Sequence, residues 1–241
     1  TMPQTDVLII GSGIAGLSFA IKVAKRFPDQ SVVVVTKADD SESNTKYAQG
    51  GIAVVLDELT DSFQKHIDDT LRAGDGLCNR EVVELVVREG PERLEEIIEW
   101  GVEFDQDAHG NLALGREGGH TAKRIIHYKD VTGLQIEKSL LLQVSALPNI
   151  TLLPHHFSID LITEHHFKHK ISQPEPGISC YGAYVMDQRT CRIEKYVSKV
   201  TLLATGGSGQ VYRTTTNPLI ATGDGVAMAY RAMAGVKDME F

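Results

Sequence analysis

Residues 7–16 decide the fold of this chain and read Val7-Leu8-Ile9-Ile10-Gly11-Ser12-Gly13-Ile14-Ala15-Gly16. The four apolar residues predict a buried strand, the Gly-x-Gly-x-x-Gly pattern predicts a tight turn, and the apolar positions from Leu17 onward predict a helix. In such a motif Gly11 permits the turn, Gly13 lets a pyrophosphate approach the backbone, and Gly16 lets the helix pack against the strand. The N–H groups that begin the helix would face the phosphates. The stretch therefore predicts a dinucleotide site; the alternative is a glycine-rich turn in an ordinary α/β domain.

A second buried strand is predicted at residues 31–36, where every residue after Ser31 is β-branched. With the helix between them, the two strands form a β-α-β unit. Sites for NAD commonly carry an acidic residue about 20 positions past the glycines, where it binds the ribose hydroxyls. Here Thr36 and Lys37 occupy that place. The pattern therefore disfavours an NAD(P)-dependent dehydrogenase.

Composition places the chain among globular proteins and excludes two classes of partner. Its 241 residues are 42% hydrophobic and 23% charged, and the formal net charge of -8 argues against a nucleic-acid surface. No apolar run approaches the roughly 18 residues that a membrane span needs. The chain has an odd number of cysteines, Cys78, Cys180 and Cys191, and none of them forms a C-x-x-C motif. This favours free thiols and a cytoplasmic location. A Cys180–Cys191 disulfide across a hairpin is the alternative.

The rest of the chain predicts one α/β domain over residues 1–241, with a Rossmann-like parallel sheet. A helical and loop insertion is expected at about 57–146, with helices near 62–72, 81–89, 91–100 and 133–146. A β-meander is expected at about 150–198, with strands at 150–153, 157–164, 178–186 and 191–197 and turns at 174–177 and 187–189. A separate buried strand is predicted at 200–204. The chain ends in what reads as the opening of a further strand.

Three separated segments share the chemistry of nucleotide binding. The first is the glycine turn at 11–16; the second is the strand end Ala204-Thr205-Gly206-Gly207; the third is Thr222-Gly223-Asp224-Gly225, a glycine turn that opens a helix. The Asp224 carboxylate could accept hydrogen bonds from the hydroxyls of a polyol. Together, these segments and the meander are similar to the FAD-binding flavoproteins, and the combination is more specific than any one segment.

Within that class, Ala48-Gln49-Gly50-Gly51-Ile52 resembles the fumarate reductase and succinate dehydrogenase flavoprotein family. The resemblance implies that this loop lies along the flavin ring and ribityl chain, and it accounts for Lys37 after the second strand. Asn44 stands where the membrane-bound members carry a histidine joined covalently to FAD, so the resemblance implies non-covalent FAD. The expected cofactor contacts are Gly11, Ser12, Gly13, Ile14, Ala15, Gly16, Lys37, Asn44, Thr45, Ala48, Gln49, Gly50, Gly51, Ala204, Thr205, Gly206, Gly207 and Asp224.

The loop Arg116-Glu117-Gly118-Gly119-His120-Thr121 narrows the resemblance to the L-aspartate oxidase family. Where the succinate and fumarate enzymes usually carry an aromatic residue, this chain has Glu117, whose carboxylate can offset the ammonium charge of aspartate. Glu117, His120 and Thr121 are therefore the expected substrate-binding residues. The alternatives are a surface glutamate and a structural loop histidine. Ala122 and Lys123 depart from that family's usual His and Arg, and no metal site is expected among the histidines at 155, 156, 165, 166 and 169.

The resemblance implies oxidation of L-aspartate to iminoaspartate, with oxygen or fumarate as acceptor, as the first step of quinolinate and NAD biosynthesis. Quinolinate synthase is the implied partner. The acid–base arginine and a capping domain of that family would lie beyond Phe241, so we expect this stretch by itself to be inactive. Two alternatives stay open: a soluble fumarate reductase or succinate dehydrogenase-type flavoprotein subunit, and a non-catalytic nucleotide-binding module.

Overall fold

The architecture comes from a computed structural model, which describes residues 3–166 and 177–239. In chain order the helices and strands are β1 (Gln4–Ile10), α1 (Ile14–Arg26), β2 (Val32–Val35), β3 (Ile52–Ala53), α2 (Phe63–Ala73), α3 (Arg80–Glu99), β4 (Leu114–Gly115), β5 (Ile125–Ile126), α4 (Thr132–Ser145), β6 (Ile150–Leu153), β7 (His156–Thr163), β8 (Cys180–Asp187), β9 (Arg192–Leu203) and α5 (Asp224–Arg231). The predicted turn at 174–177, apart from Gly177, and His169 lie outside the described residues. Within the described ranges, no helix is long and apolar enough to cross a membrane.

The described chain divides into two compact units, one formed by residues 1–47 and 140–241 and the other by residues 48–139. The boundary between them falls inside α4. The expectation of a single domain with an insertion at about 57–146 stays a prediction.

The first unit is built on a six-stranded sheet of order β6-β2-β1-β9-β8-β7. β6, β2, β1 and β9 run parallel, while β9, β8 and β7 form an antiparallel meander. The predicted α/β class with a mostly parallel sheet and a meander is confirmed. β6, which the sequence analysis grouped with the meander, instead extends the parallel part by pairing Val32 with Ile150.

β9 joins the parallel and the antiparallel parts of the sheet, and its length differs from the prediction. Separate strands were expected at 191–197 and 200–204, but the structure has one strand of 12 residues. Its first half pairs with β8 and its second half pairs with β1, with Val197 opposite both Gly182 and Gln4. This change of partner explains why β9 begins with a partly exposed sequence pattern and ends with a more apolar one.

The alternation of side chains along β1 distributes them between two cores. Val7 and Ile9 pack with Ala20 and Ala24 of α1. Leu8 and Ile10 belong to a second cluster that includes residues of β7, β8 and α5. β1 is therefore buried on both faces, as its uninterrupted apolar sequence predicts.

The second unit holds α2, α3 and a small sheet of order β3-β5-β4. α2 begins after Ser62, whose side chain accepts a hydrogen bond from the Lys65 N–H, and α3 begins after Asn79, whose side chain caps two N–H groups. Two helices were expected at 81–89 and 91–100, but α3 continues through Pro91. Val87 and Leu94, one on each side of the proline, are buried.

Candidate functional site

A cleft of about 400 Å³ lies in the first unit, where parallel strands end. β1 ends at Ile10, β2 at Val35 and β9 at Leu203, and each of these residues lines the cleft together with those that follow it. The carboxyl ends of parallel strands are the usual place for a ligand in an open α/β sheet. The cleft collects these predicted cofactor contacts: Gly11, Ser12, Gly13, Ile14, Ala15, Lys37, Asn44, Thr45, Ala204, Thr205, Gly206 and Asp224.

The turn between β1 and α1 has no room for side chains at two of its glycines. Gly11 has φ +114°, and a Cβ there would lie 2.1 Å from the Ala204 carbonyl oxygen. A Cβ on Gly16 would lie 2.0 Å from the Gly11 carbonyl oxygen. Gly11 therefore lets β1 pass close to the end of β9, and Gly16 lets α1 pack against the turn, as the motif predicts.

The start of α1 presents backbone N–H groups to other partners, because the N–H groups in the first turn of a helix have no acceptors within the helix. Gly13 is the N-cap residue, and a Cβ there would come no closer than 3.4 Å, to the Thr45 hydroxyl. Thr45 accepts a hydrogen bond of 3.0 Å from the Ile14 N–H. The buried Ser12 hydroxyl donates to the Asp40 carbonyl at 2.9 Å, so this side chain holds the loop after β2.

Asn44 carries an acceptor that the protein leaves unsatisfied. Its Oδ1 atom is buried without a hydrogen-bond partner among the described residues, and Asn44 lines the cleft. Its Nδ2 atom would lie 3.3 Å from a Cβ placed on Gly206. A buried acceptor without a partner is costly, so this position fits a ligand that supplies a donor.

Lys37 and Asp224 form an ion pair at the cleft that the sequence analysis did not predict. The Lys37 Nζ atom lies 2.5 Å from Asp224 Oδ2 and 2.5 Å from the Thr222 hydroxyl, and Thr222 donates to Asp224 Oδ1 at 2.9 Å. Gly223, with φ +75°, precedes Asp224 at the start of α5. The pair leaves the Asp224 carboxylate with fewer free lone pairs for a polyol than the sequence alone suggested.

The remaining predicted cofactor contacts lie elsewhere. Gly16 packs against the Gly11 carbonyl group, and Gly207, which follows the cleft residue Gly206, is exposed. Residues 48–51 belong to the second unit, where a Cβ on Gly51 would lie 2.4 Å from the Ile126 carbonyl oxygen and Ala48 accepts a bond from the Gly133 N–H. Their role toward the cofactor stays a prediction.

The second unit contains a buried ion cluster around Arg124, which is fully buried. Its Nε and one terminal nitrogen donate to the two oxygens of Asp61 at 2.7 Å each, and its other terminal nitrogen donates to Asp69 at 2.7 Å. Both carboxylates are almost fully buried. Two anions thus surround one buried cation, which compensates the charge of both; Asp69 also lies 3.8 Å from the exposed Arg72.

The same cluster anchors the predicted substrate loop. Asp69 Oδ2 accepts from the Thr121 N–H and the Thr121 hydroxyl, both at 2.8 Å. Arg116 Nε donates to the His120 carbonyl at 2.9 Å, and a terminal nitrogen of Arg124 lies 3.0 Å from His120 Nδ1. Glu117 is exposed at the tip of this loop. The structure thus brings Glu117, His120 and Thr121 onto one anchored loop; their binding of a substrate stays a prediction.

His66 of α2 is a buried neighbour that the sequence analysis did not identify. Its ring lies 5.8 Å from that of His120, and its Nδ1 atom has no hydrogen-bond partner among the described residues. Burial lowers the pKa of His66, and the positive charge of Arg124 lowers it further. His66 therefore adds no second cation beside Arg124 at neutral pH.

The stability of the second unit should fall in acid because of Asp69. Burial alone would raise the pKa of Asp69, but hydrogen bonds from Thr121 and Arg124 outweigh it and hold the pKa at about 2, against 3.8 ordinarily. A carboxyl whose pKa is lowered by folding stabilises the fold above its unfolded pKa, and that contribution is lost as the pH falls through the folded value. We expect the free energy of unfolding to drop between about pH 4 and pH 2.

Urea unfolding between pH 5 and pH 2 checks this expectation, with Asp69→Asn as the comparison. The variant should be less stable throughout but should lose less stability across that window. Parallel pH profiles for the two proteins would show that Asp69 does not contribute.

Comparison with known proteins identifies related sequences over nearly the whole chain. The family model for an FAD binding domain matches residues 6–241. L-aspartate oxidase from Arabidopsis thaliana chloroplasts is 49% identical over 98% of this chain and 34% of its own length. L-aspartate oxidase 1 from Ralstonia nicotianae is 46% identical over 98% of this chain and 43% of its own length, and the Vibrio cholerae enzyme is 42% identical over 99% and 44%. The chain therefore spans less than half of the length of these relatives.

Solved structures share the fold of this chain at a lower sequence identity than these relatives. A mutant of the E. coli quinol fumarate reductase has a TM-score of 0.85 and 31% identity, covering 95% of this chain and 37% of that chain. The Sdh1 complex of Mycobacterium smegmatis has a TM-score of 0.84 and 31% identity, covering 95% and 39%. The glycine turn, the open start of α1 and the unsatisfied Asn44 acceptor fit the FAD that the family model names.

Proposed function

The chain belongs to the FAD binding domain family, and from that premise we propose that the whole protein is an FAD-dependent L-aspartate oxidase. The observation that carries this proposal is the identity of 42–49% with proteins named L-aspartate oxidase from plants and bacteria, over almost every residue of the chain. The geometry supports it, because the structure has a cleft lined by predicted cofactor contacts and an anchored loop with an exposed carboxylate. The product is iminoaspartate.

The cleft of the first unit would hold the cofactor. The N–H groups at the start of α1 would bind its pyrophosphate, and Gly13 leaves the backbone open for that approach. Asn44 would contribute its unsatisfied Oδ1 as an acceptor; its amide forms no covalent bond, so FAD is held by contacts alone. When bound, FAD supplies an acceptor for the hydride removed from the α-carbon of an amino acid.

The anchored loop would recognise the amino acid. Glu117 is exposed at its tip, and a carboxylate there would pair with the ammonium group that distinguishes aspartate from succinate. His120 would bind a carboxylate of the substrate as a hydrogen-bond donor. Thr121, whose N–H and hydroxyl both donate to Asp69, would instead hold the loop in place for that contact. Succinate has no ammonium group to pair with Glu117, so the site would bind succinate less well than aspartate.

Glu117→Gln should lower kcat/KM for L-aspartate by about 10- to 100-fold, because a charge-assisted hydrogen bond contributes roughly 1.5–3 kcal/mol. FAD content should not change, since the cleft residues are untouched. The measurement is steady-state oxidation of L-aspartate by the full-length, FAD-loaded protein. The control is Glu103→Gln, which removes an exposed carboxylate from the same unit outside the loop and should leave kcat/KM unchanged. Equal values of kcat/KM for both variants would show that Glu117 does not contribute to the recognition of aspartate.

A soluble fumarate reductase or succinate dehydrogenase-type flavoprotein subunit is the second candidate, favoured by the TM-scores of 0.84 and 0.85. Oxygen or fumarate as the final electron acceptor, quinolinate synthase as a partner and a place in NAD biosynthesis are parts of the first proposal. We propose the cytoplasm as the compartment, although the plant relatives are named chloroplastic.

A further inference from the structure

The contact between Arg124 and His120 determines the tautomer of the histidine. A terminal nitrogen of Arg124 lies 3.0 Å from His120 Nδ1. A guanidinium group carries five N–H donors and no acceptor, so Nδ1 must be the acceptor of this hydrogen bond. A neutral imidazole with an accepting Nδ1 carries its proton on Nε2. His120 is therefore a hydrogen-bond donor through Nε2.

Arg124 cannot easily turn away from His120. Asp61 receives two parallel hydrogen bonds from the guanidinium group, which fixes its plane, and Asp69 receives a third. The side chain is fully buried, so water does not compete for these donors. The remaining contact, with His120 Nδ1, is thus made by a group whose position is set by two carboxylates.

The backbone of His120 is held as well. Its carbonyl accepts from Arg116 Nε at 2.9 Å, and its N–H bonds to the Glu117 carbonyl at 3.3 Å. The following residue, Thr121, is tied to Asp69 through both its N–H and its hydroxyl. His120 itself is only partly buried, so its ring is held and yet still accessible.

We propose that Arg124 is a positioning residue which, held by Asp61 and Asp69, fixes His120 as the Nε2–H tautomer and so makes His120 a donor to a carboxylate of the dicarboxylate substrate. The choice of a carboxylate as acceptor rests on the proposed function. The choice of tautomer rests only on the contacts of Arg124, so the two parts can fail separately.

The tautomer is tested directly by ¹⁵N NMR of the full-length, FAD-loaded protein with labelled histidine, with the His120 signals assigned by their loss in His120→Gln. The expected result is a neutral ring with the proton on Nε2. Arg124→Lys should lose this preference, because an ammonium group does not share the planar fork that holds His120. A proton on Nδ1 in the unmodified protein would overturn the proposal, whether or not the lysine variant folds.

The role of the donor is tested by comparing His120→Gln with His120→Asn in the same protein. A glutamine amide can place an N–H near the position of Nε2, whereas an asparagine amide ends near the position of Nδ1. His120→Gln should keep kcat/KM for L-aspartate within about tenfold, and His120→Asn should lose about 10- to 100-fold, mainly through KM. A purely structural histidine would make both variants equal and would overturn the proposal. If the unmodified protein does not oxidise aspartate, the proposed function fails while the tautomer result stands.

Discussion

Gly11→Ala is expected to destabilise the protein by about 3 kcal/mol or more and to abolish the binding of FAD. Two effects combine at this position. The backbone has φ +114°, a conformation that L side chains rarely adopt, and a Cβ would lie 2.1 Å from the Ala204 carbonyl oxygen. The carbonyl oxygen belongs to the backbone and the backbone also fixes the position of a Cβ, so no rotamer change can relieve this contact. The turn would have to move, and with it the N–H groups at the start of α1.

The measurement is urea unfolding together with the flavin content of the purified full-length protein. The matched control is Gly235→Ala, where a Cβ would meet no atom within 4 Å and the backbone does not require glycine. That variant should keep both its stability and its FAD. A Gly11→Ala protein with full flavin content and normal stability would contradict the described geometry of the turn.

Arg124→Met should cost about 3–5 kcal/mol of folding stability, the range found when one partner of a buried ion pair is removed. Methionine approximates the size of the aliphatic stem but leaves Asp61 buried without its cation and leaves Asp69 with only the exposed Arg72, 3.8 Å away. The loop that contains Thr121 should also loosen, because Arg124 no longer holds the Asp69 carboxylate to which Thr121 donates. Adding Asp61→Asn and Asp69→Asn to Arg124→Met should recover part of the loss, because it removes the uncompensated charges.

Arg80→Met is the control for this prediction. Arg80 forms an exposed pair with Glu84 one turn along α3, and such pairs contribute about 0.3–0.5 kcal/mol. Urea unfolding of the two single variants should therefore give costs that differ about tenfold. Similar costs would mean that Arg124 is not a buried centre of charge compensation.

The glycine turn and the strands around it could be predicted from the sequence because their signals are local. Uninterrupted apolar runs at β1 and β2 identify strands buried on both faces, and the spacing of Gly11, Gly13 and Gly16 identifies the turn between them. The cleft residues at Lys37 and Ala204 could also be predicted, because residues that follow parallel strands gather at one edge of a sheet.

The ends of two elements, β9 and α3, could not be predicted from the sequence. β9 pairs with different partners along its length, so its pattern changes at Val197 and resembles two strands. Pro91 indicated a helix start, but a proline inside a helix removes one hydrogen bond and can be tolerated when packing on both sides compensates. In both cases tertiary contacts override a local signal.

The charged part of the candidate site was missed for a different reason. Arg124 is separated from Asp69 by 55 residues and from Asp61 by 63, and Lys37 is separated from Asp224 by 187. No spacing rule connects partners at such distances, and the acidic residues of α2 look like those of any exposed helix. Glu117 and His120 were found only because their loop resembles that of a known family.

The measurement that tests the central claim most directly is the visible absorbance of the full-length, FAD-loaded protein, mixed anaerobically with L-aspartate and, separately, with succinate. We expect the flavin absorbance to bleach with L-aspartate and to persist with succinate, because without oxygen the electrons removed from the substrate remain on the cofactor. Bleaching by succinate but not by L-aspartate would contradict the proposal and assign the protein to the succinate-oxidising flavoproteins.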